Sequence, residues 1–266
     1  MADAPPASLR NPPRDTDVDR FRADGFVVLR GAFDPAPLSA EVDAALTDSD
    51  LGGPDRDHDD IRFRYVPMMG ERTPVSLGLL GALAEPAALL LGAPVLPLRA
   101  KSVRYAASAA PHRDSTSPLR SLGFVAYLEP LTARKGALQL APGSHRDLAR
   151  DPRGIAMEAV ATQPGDLIAF DEHVVHGSSG GRDRRQWRVD FFADPVTPDE
   201  TDAARAYILA TYPPGWDGGY DVARFPTYGP HWRGLDRPWH SRLAALGAYA
   251  AADAQEAAVL HREPRP

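Results

Sequence analysis

The sequence contains no cysteine, and this absence excludes two classes of site. Without thiols the chain can form neither a disulfide framework nor a thiolate-ligated metal centre. Any bound metal must therefore be held by histidine, aspartate or glutamate, a ligand set that suits iron, manganese or zinc with open coordination positions. The lack of cysteine also fits a reducing compartment, and we expect a cytoplasmic protein.

Lysine and long apolar runs are also scarce. Two lysines stand against 28 arginines, and the formal net charge of −6 argues against nucleic acid or an anionic membrane as the main partner. The longest apolar stretch, around residues 77–98, is interrupted by glycine, glutamate and three prolines, so it does not predict a membrane-spanning helix. Residues 1–15 lack the basic and apolar regions of a secretory signal.

The remaining composition predicts one folded domain. The chain has 266 residues, of which 43% are hydrophobic, enough for a substantial core. We predict a mobile tail over residues 1–15, which are rich in proline, alanine and arginine, and a single domain over residues 16–266.

Helix signals come first along the chain and strand signals follow. A helix after Asp34 and another over residues 75–91 precede a series of short strands, and helices over residues 202–211 and 241–260 close the chain. Strands are predicted at residues 26–29, 101–105, 122–128, 137–140, 159–161, 166–170 and 187–192. Many short strands without βαβ alternation predict a mainly β protein with helical cover, a double-stranded β-helix or jelly roll of the cupin-like type.

The pattern His-x-Asp occurs three times, at His58/Asp60, His112/Asp114 and His145/Asp147. The first pair follows a Gly-Gly-Pro and lies among four other charged residues, which predicts a solvated loop. The third pair, in HRDL, resembles the start of a protein-kinase catalytic loop, but Pro152 occupies the position of the magnesium-binding asparagine. We therefore predict that His145 bonds locally in a Pro-Gly turn.

The second pair, in PHRDS, has the surroundings of a metal site. It lies between two apolar segments, and residues two apart project to the same side of an extended chain. His176 follows a third apolar segment, in PGDLIAFDEHVVHGS. Two histidines and one carboxylate form a facial triad with three open positions, as Fe(II) oxygen chemistry requires. Zinc is the competing metal, although no glutamate lies in an HExxH arrangement to act as a base.

Three collinear blocks extend this pattern over much of the chain. They are RADGFVVLRGAFDPAPL, GFVAYLEPLTARKGALQLAPGSHR and PGDLIAFDEHVVHGSSGGRDRRQWRVDFF. Together they resemble the phytanoyl-CoA dioxygenase family of Fe(II)/2-oxoglutarate oxygenases. The resemblance implies that His112, Asp114 and His176 bind Fe(II), and that 2-oxoglutarate and O2 are cosubstrates. It also implies that Arg188, helped by the hydroxyl of Ser178, pairs with the distal carboxylate of 2-oxoglutarate, since a guanidinium fork matches a carboxylate.

The position of the arginine departs slightly from the family pattern. Arg188 lies twelve residues beyond the distal histidine and Arg185 lies nine beyond, so Arg185 is the alternative. On a strand that starts at Trp187, Arg188 faces the cavity while Trp187 packs against helices. Arg182 and Arg184 are predicted to be solvated in the polar GGRDRR turn.

His173 precedes His176 by three residues and could be mistaken for the ligand. The glycine and serine after His176 favour His176, and we predict that His173 lies at the surface or beside the site. Gln139, Tyr127 and Phe124 lie on predicted inner strands and are assigned no role.

The expected activity is oxidation of a small molecule, by default hydroxylation, coupled to conversion of 2-oxoglutarate and O2 into succinate and CO2. Relatives that halogenate have a small residue in place of the carboxylate, so Asp114 predicts oxygenation. The low lysine content offers no patch for coenzyme A phosphates, which favours a natural-product or amino-acid-type substrate over an acyl-CoA. A non-oxidative cupin-like metal-binding protein or isomerase, and a catalytically silent interaction protein, are the alternatives from other classes.

Two segments rich in aromatic or methionine side chains could cover the iron. They are Arg62–Arg72 and Tyr212–Trp239, in which Tyr65 and Trp216 are the candidate substrate contacts. They form either mobile lids over the substrate or packing between the C-terminal helix and the sheet.

Overall fold

A computed structural model of the chain describes residues 9–48, 56–58, 61–180, 183–213 and 219–260. Within these residues the helices are α1 (Asp15–Asp24), α2 (Pro35–Asp48), α3 (Pro74–Leu91), α4 (Pro198–Thr211), α5 (Pro230–Gly234), α6 (His240–Ala245) and α7 (Ala248–Leu260). The strands are β1 (Phe26–Leu29), β2 (Arg56–His58), β3 (Ile61–Pro67), β4 (Val95–Tyr105), β5 (Ala109–His112), β6 (Ser121–Tyr127), β7 (Lys135–Leu140), β8 (Glu158–Ala159), β9 (Leu167–Asp171), β10 (His176–Gly180) and β11 (Arg184–Ala193).

The strands form two antiparallel sheets. The larger sheet has the order β1-β9-β6-β11-β4-β3-β2, and the smaller has the order β5-β10-β7-β8. Apolar side chains of both sheets meet in one buried cluster, which includes Val125, Leu138 and Phe170. This arrangement of two facing sheets confirms the predicted jelly-roll architecture, without a closed barrel.

Helices cover the other face of the larger sheet. α3 begins with Pro74 at its first position and buries nine residues, most of them leucine or alanine. Trp187 of β11 points to this side, where its indole N–H donates to the hydroxyl of Ser76 at 2.7 Å. Among the described helices, α3 is the one long and apolar enough to cross a membrane, but half of it is buried inside the protein and it packs on β4 and β11.

Several element boundaries differ from the sequence prediction. β11 begins at Arg184, three residues earlier than predicted, and β3 was not predicted. The predicted loop around the first His-x-Asp pair contains the main chain of β2, while Asp60 lies outside the described residues. The predicted C-terminal helix is two helices, because Gly247 adopts a left-handed φ of 84° between them.

The aromatic segment after α4 belongs to the core. Its buried side chains are Tyr212, Tyr220, Tyr228, Trp232 and Trp239. Trp216 lies outside the described residues. In the other segment Met68 and Met69 are fully buried, and Tyr65 lies on β3 within the sheet. The described parts of both segments therefore favour packing over a mobile lid, although Tyr65 also lines a cavity beside His112 and Asp114.

Candidate active site

His112, Asp114 and His176 come together at one end of the smaller sheet. His112 is the last residue of β5 and His176 the first of β10, and the two are direct cross-strand partners. The Nε2 atoms of His112 and His176 lie 3.7 and 3.4 Å from the Asp114 carboxylate. Ligand atoms of the three side chains all lie within 4.8 Å of one another. Gly177 permits this close approach, since a Cβ there would meet the Ala109 carbonyl oxygen at 2.9 Å.

Both imidazoles are oriented for metal binding. Nδ1 of His112 is 2.7 Å from the Ala110 carbonyl oxygen, and Nδ1 of His176 is 3.0 Å from that of Val174. An Nδ1–H that donates to a carbonyl leaves the lone pair on Nε2, and in both rings Nε2 faces the carboxylate. Burial lowers the pKa of His176 to about 4, so this imidazole is neutral at physiological pH.

Asp114 is held by main-chain bonds rather than by a strand. β5 ends at His112, and the amides of Asp114 and Ser115 both donate to the carbonyl oxygen of Glu172. Burial would raise the pKa of Asp114, but the neighbouring Arg188 outweighs it and holds the pKa well below its usual range. The donor set is thus two imidazoles and one carboxylate, which fits a divalent transition metal.

The guanidinium of Arg188 contacts three carboxylates. It donates at 2.7 Å to Asp114 and at 2.7 Å to Glu172, and its Nε donates to Asp190. A side chain at Gly123 would meet this guanidinium at 3.0 Å, which explains the glycine on the adjacent strand β6. Arg188 therefore faces the triad, and each nitrogen of its guanidinium already bonds to a carboxylate.

Arg184 is buried, which corrects its predicted solvation. It is 2% exposed, and its two terminal nitrogens donate at 2.7 Å to the carbonyl oxygens of Gly136 and Ala107. Its Nε is buried without a hydrogen-bond partner among the described residues. Its carbon Cζ lies 5.3 Å from the ring centroid of Tyr105. The expectation that charged residues in a polar turn are solvated fails here, because Arg184 is the first residue of β11 rather than part of a turn.

Arg185 points the opposite way. Its guanidinium bonds to Asp43 of α2 and lies 3.4 Å from Glu129, on the outside of the sheet. Arg182 lies outside the described residues.

Two cavities meet at the triad. The inner pocket runs between the two sheets and is lined by Tyr105, Tyr127, His176, Ser178, Arg184, Gln186 and Arg188, among others. The hydroxyl of Ser178, itself 7% exposed, accepts a hydrogen bond from the Ala109 amide at 3.1 Å. The outer cavity has a volume of about 830 Å³ and lies between β3, β4, α4 and residues 115–118. Both cavities are lined by His112, Asp114 and Arg188.

The remaining histidines near the site have other partners. His173 is 7% exposed, and it bonds to Asp171 at 2.8 Å and to the carbonyl oxygen of Ser117 at 2.6 Å. It is therefore buried rather than at the surface. His145 lies in the turn after β7 and packs against the glycine before β1, away from the triad.

Comparison with known proteins places the chain in a family. Residues 21–186 match the model of the phytanoyl-CoA dioxygenase (PhyH) family. The chain belongs to this family. It is accordingly a non-haem dioxygenase that depends on Fe(II) and 2-oxoglutarate and uses O2, and the predicted family, enzyme class and cofactors are confirmed. The matched residues include Arg184 and end two residues before Arg188.

Individual relatives agree with this assignment. Dioxygenase FrzG from Cladobotryum sp is 27% identical, over 68% of this chain and 75% of that protein. The crystal structure of EvdMO1 is 26% identical with a TM-score of 0.56, over 68% of this chain but half of that one. The epimerase SnoN, solved with Fe3+, alpha ketoglutarate and nogalamycin RO, shares the fold at 20% identity and a TM-score of 0.57, over 68% of this chain and 83% of that one.

Proposed function

We propose that this dioxygenase hydroxylates a small molecule of natural-product or amino-acid type, converting 2-oxoglutarate and O2 into succinate and CO2. The observation that carries the proposal is the triad of His112, Asp114 and His176, which lies where a small inner pocket meets a large outer cavity. A narrow polar pocket suits the cosubstrate, and a larger apolar-and-polar cavity suits an organic substrate. The likeness to SnoN, an epimerase from nogalamycin biosynthesis, supports the natural-product class.

In this proposal the triad holds Fe(II). The two Nε2 atoms and the Asp114 carboxylate would supply three ligands to the metal, and the main-chain bonds to Glu172 hold the segment that carries the carboxylate. Bound iron supplies the activation of O2, with 2-oxoglutarate as the source of electrons. The protein orients both cosubstrates and excludes water from the inner pocket.

The inner pocket takes 2-oxoglutarate. Arg188, 2.7 Å from Asp114, neutralises the end of the pocket beside the metal. Arg184 lies four residues away along β11, with a buried Nε that lacks an acceptor, and so fits the distal carboxylate together with Ser178. The resemblance assigned the distal carboxylate to Arg188. The three carboxylates already bonded to Arg188 support Arg184 for this contact.

Asp114 also bears on the reaction outcome. Its carboxylate fills the coordination position that a halide would need, so oxygenated and not halogenated products are proposed. We further infer a cytoplasmic enzyme in which residues 16–266 act as one domain. Residues 1–8 of the predicted tail lie outside the described residues, whereas Asn11 donates to the carbonyl oxygens of Arg30 and Gly31.

Anaerobic addition of Fe(II) and 2-oxoglutarate tests the metal and cosubstrate assignments together. The wild-type protein should show a weak visible charge-transfer band, which requires both groups at one centre. His112→Ala, Asp114→Ala and His176→Ala should abolish the band, whereas His145→Ala should retain it. A band that survives His176→Ala but not His173→Ala would move the distal ligand to His173.

A further inference from the structure

The outer cavity has a charged wall on β4 and β11. The two strands pair so that Arg99 lies opposite Asp190, and Lys101 lies opposite Arg188. The first pair is an ion pair, with Arg99 Nε 2.5 Å from the Asp190 carboxylate. The second pair places two positive charges directly opposite each other on neighbouring strands, which destabilises a sheet.

Asp190 leaves Lys101 without a hydrogen bond. The two oxygens of Asp190 accept from Arg188 and Arg99, and Lys101 Nζ lies 3.7 Å from the nearer one, beyond hydrogen-bonding distance. Among the described residues no acceptor is hydrogen-bonded to the Lys101 ammonium. Only 11% of the side chain is exposed, so little of it is solvated. The ring of Tyr65, 5.9 Å away, adds a weak attraction only. Buried donors are almost always paired, so this ammonium lacks an acceptor that a ligand could supply.

The unsatisfied charge faces the substrate side of the metal. Lys101 and Arg99 both line the outer cavity, and neither lines the inner pocket. Burial lowers the pKa of Lys101 to about 7, and the positive charge of the nearby Arg99 contributes to the same shift.

The rest of the cavity lining combines apolar side chains of β3 and α4 with polar ones, Asp202, Thr211 and residues 115–117, and leaves room for a bulky group. Phe63 and Tyr65 project from β3, and α4 contributes three alanines spaced along one side of the helix, Ala203, Ala206 and Ala210. Their small side chains give the cavity its width between the helix and the sheet.

We propose that the substrate is an organic acid with an apolar, ring-bearing body, whose anionic group binds to Lys101 and Arg99. The body lies between β3 and α4, beside the triad. This inference rests on the proposed function, because it treats the outer cavity as the substrate site of the iron centre.

Matched pairs of probes test the inference in protein loaded with Mn(II) and 2-oxoglutarate. The probes are benzoate and 2-naphthoate, each compared with its carboxamide, which keeps the shape and removes the charge. Kd is measured by NMR, and relaxation of the probe protons by Mn(II) reports whether the probe lies beside the metal. For at least one pair the acid should bind the wild type about tenfold or more tightly than the amide, a difference of about 1.4 kcal/mol, with relaxed protons.

Three variants assign the effect to Lys101. Lys101→Met should abolish the preference for the acid, and Lys101→Arg should retain it. Lys135→Met removes the other lysine of the chain, which is exposed at the start of β7, and should change nothing. Lys101→Met should also raise the free energy of unfolding without ligand, because the like-charge contact with Arg188 is removed.

Equal binding of every acid and its amide, absence of Mn(II) relaxation, or an acid preference that survives Lys101→Met would overturn the inference. Loss of 2-oxoglutarate binding by Lys101→Met without any probe would assign the lysine to the cosubstrate and also overturn it. Failure of the wild type to bind 2-oxoglutarate would instead contradict the proposed function itself.

Discussion

Arg184 and Arg188 differ in their partners although they lie on the same face of one strand. Arg188 bonds to three carboxylates, whereas Arg184 bonds to two main-chain carbonyls and keeps one buried N–H free of partners among the described residues. The carboxylate of a ligand bound at Arg188 would add negative charge where three carboxylates already lie. At Arg184 the same carboxylate would compensate a buried positive charge. At the scale of residues, this difference is the reason we propose Arg184 rather than Arg188 as the partner of the distal carboxylate of 2-oxoglutarate.

Arg184→Met should raise the Kd of 2-oxoglutarate by about two orders of magnitude or more, since loss of one partner of a buried charge pair costs about 3–5 kcal/mol. Pyruvate carries the same oxo-acid end without the distal carboxylate, so its Kd should not change. Isothermal titration of the Mn(II)-loaded protein measures both constants.

Arg185→Met is the matched control, because Arg185 bonds to Asp43 and Glu129 outside the sheet, and it should retain wild-type affinity. Arg188→Met should weaken Mn(II) binding as well, because Asp114 loses its partner. If Arg188→Met removes the advantage of 2-oxoglutarate over pyruvate while Arg184→Met keeps it, the distal carboxylate lies at Arg188.

At the scale of elements, His173 connects the end of β9 to residues 115–118, which line the outer cavity. Burial alone would lower the pKa of His173, but the hydrogen bond and charge of Asp171 outweigh it and raise the pKa. A raised pKa means that the folded state binds the proton more tightly than the unfolded chain. The resulting stabilisation is complete below the unfolded value of about 6.5 and is lost as pH rises through the folded pKa.

His173→Gln should therefore lower the free energy of unfolding by about 1–3 kcal/mol in acid, the range for hydrogen bonds to charged groups and for buried groups left unpaired, and by less in alkali. Urea titration of the metal-free protein at about pH 5.5 and about pH 8.5 measures the difference. His231→Gln on the exposed side of α5 is the control. A loss that is equal at both pH values would show that His173 does not bind a proton in the folded state.

Trp232 tests whether the aromatic segment is core. Its side chain is 1% exposed, and its ring packs on Tyr228 and His240 at centroid distances of 5.6 and 5.5 Å. Trp232→Ala should cost about 3–5 kcal/mol of stability and leave the Kd of 2-oxoglutarate unchanged below the melting temperature. Leu209→Ala, at a side chain 57% exposed on α4, should change stability by no more than about 0.5 kcal/mol. A stable Trp232→Ala variant would restore the lid interpretation.

The elements also show what could be predicted from sequence. Alternation in IRFRYVP has the period of a strand and is enough to predict β3, whereas the two methionines that follow it favour a cover over the site. Extending the alternation of β11 back from Arg188 through Gln186 reaches Arg184, so its inward direction was also present in the pattern. The contacts of Arg188 with Glu172 and of His173 with Ser117 could not be predicted, because they join segments that are distant in sequence.

At the scale of the whole molecule, the two sheets divide the space around the triad. The inner pocket lies between the sheets, and the outer cavity lies between the larger sheet and α4. Tyr207 of α4 donates to Glu172 at 2.5 Å, and Glu172 in turn accepts from Arg188. These bonds connect the helix that lines the outer cavity to the arginine beside the triad. In the proposed function, 2-oxoglutarate binds in the inner pocket and the substrate binds in the outer cavity, so both reach the same triad.

The central claim is that this chain uses Fe(II) to couple O2 to the decarboxylation of 2-oxoglutarate at His112, Asp114 and His176. Mass spectrometry of succinate formed under 18O2 tests it most directly, and it needs no knowledge of the substrate because slow uncoupled turnover suffices. The wild type should give succinate that carries one 18O atom, in step with CO2 release, and Asp114→Ala should give none. Unlabelled succinate, or labelled succinate that persists in Asp114→Ala, would contradict the account.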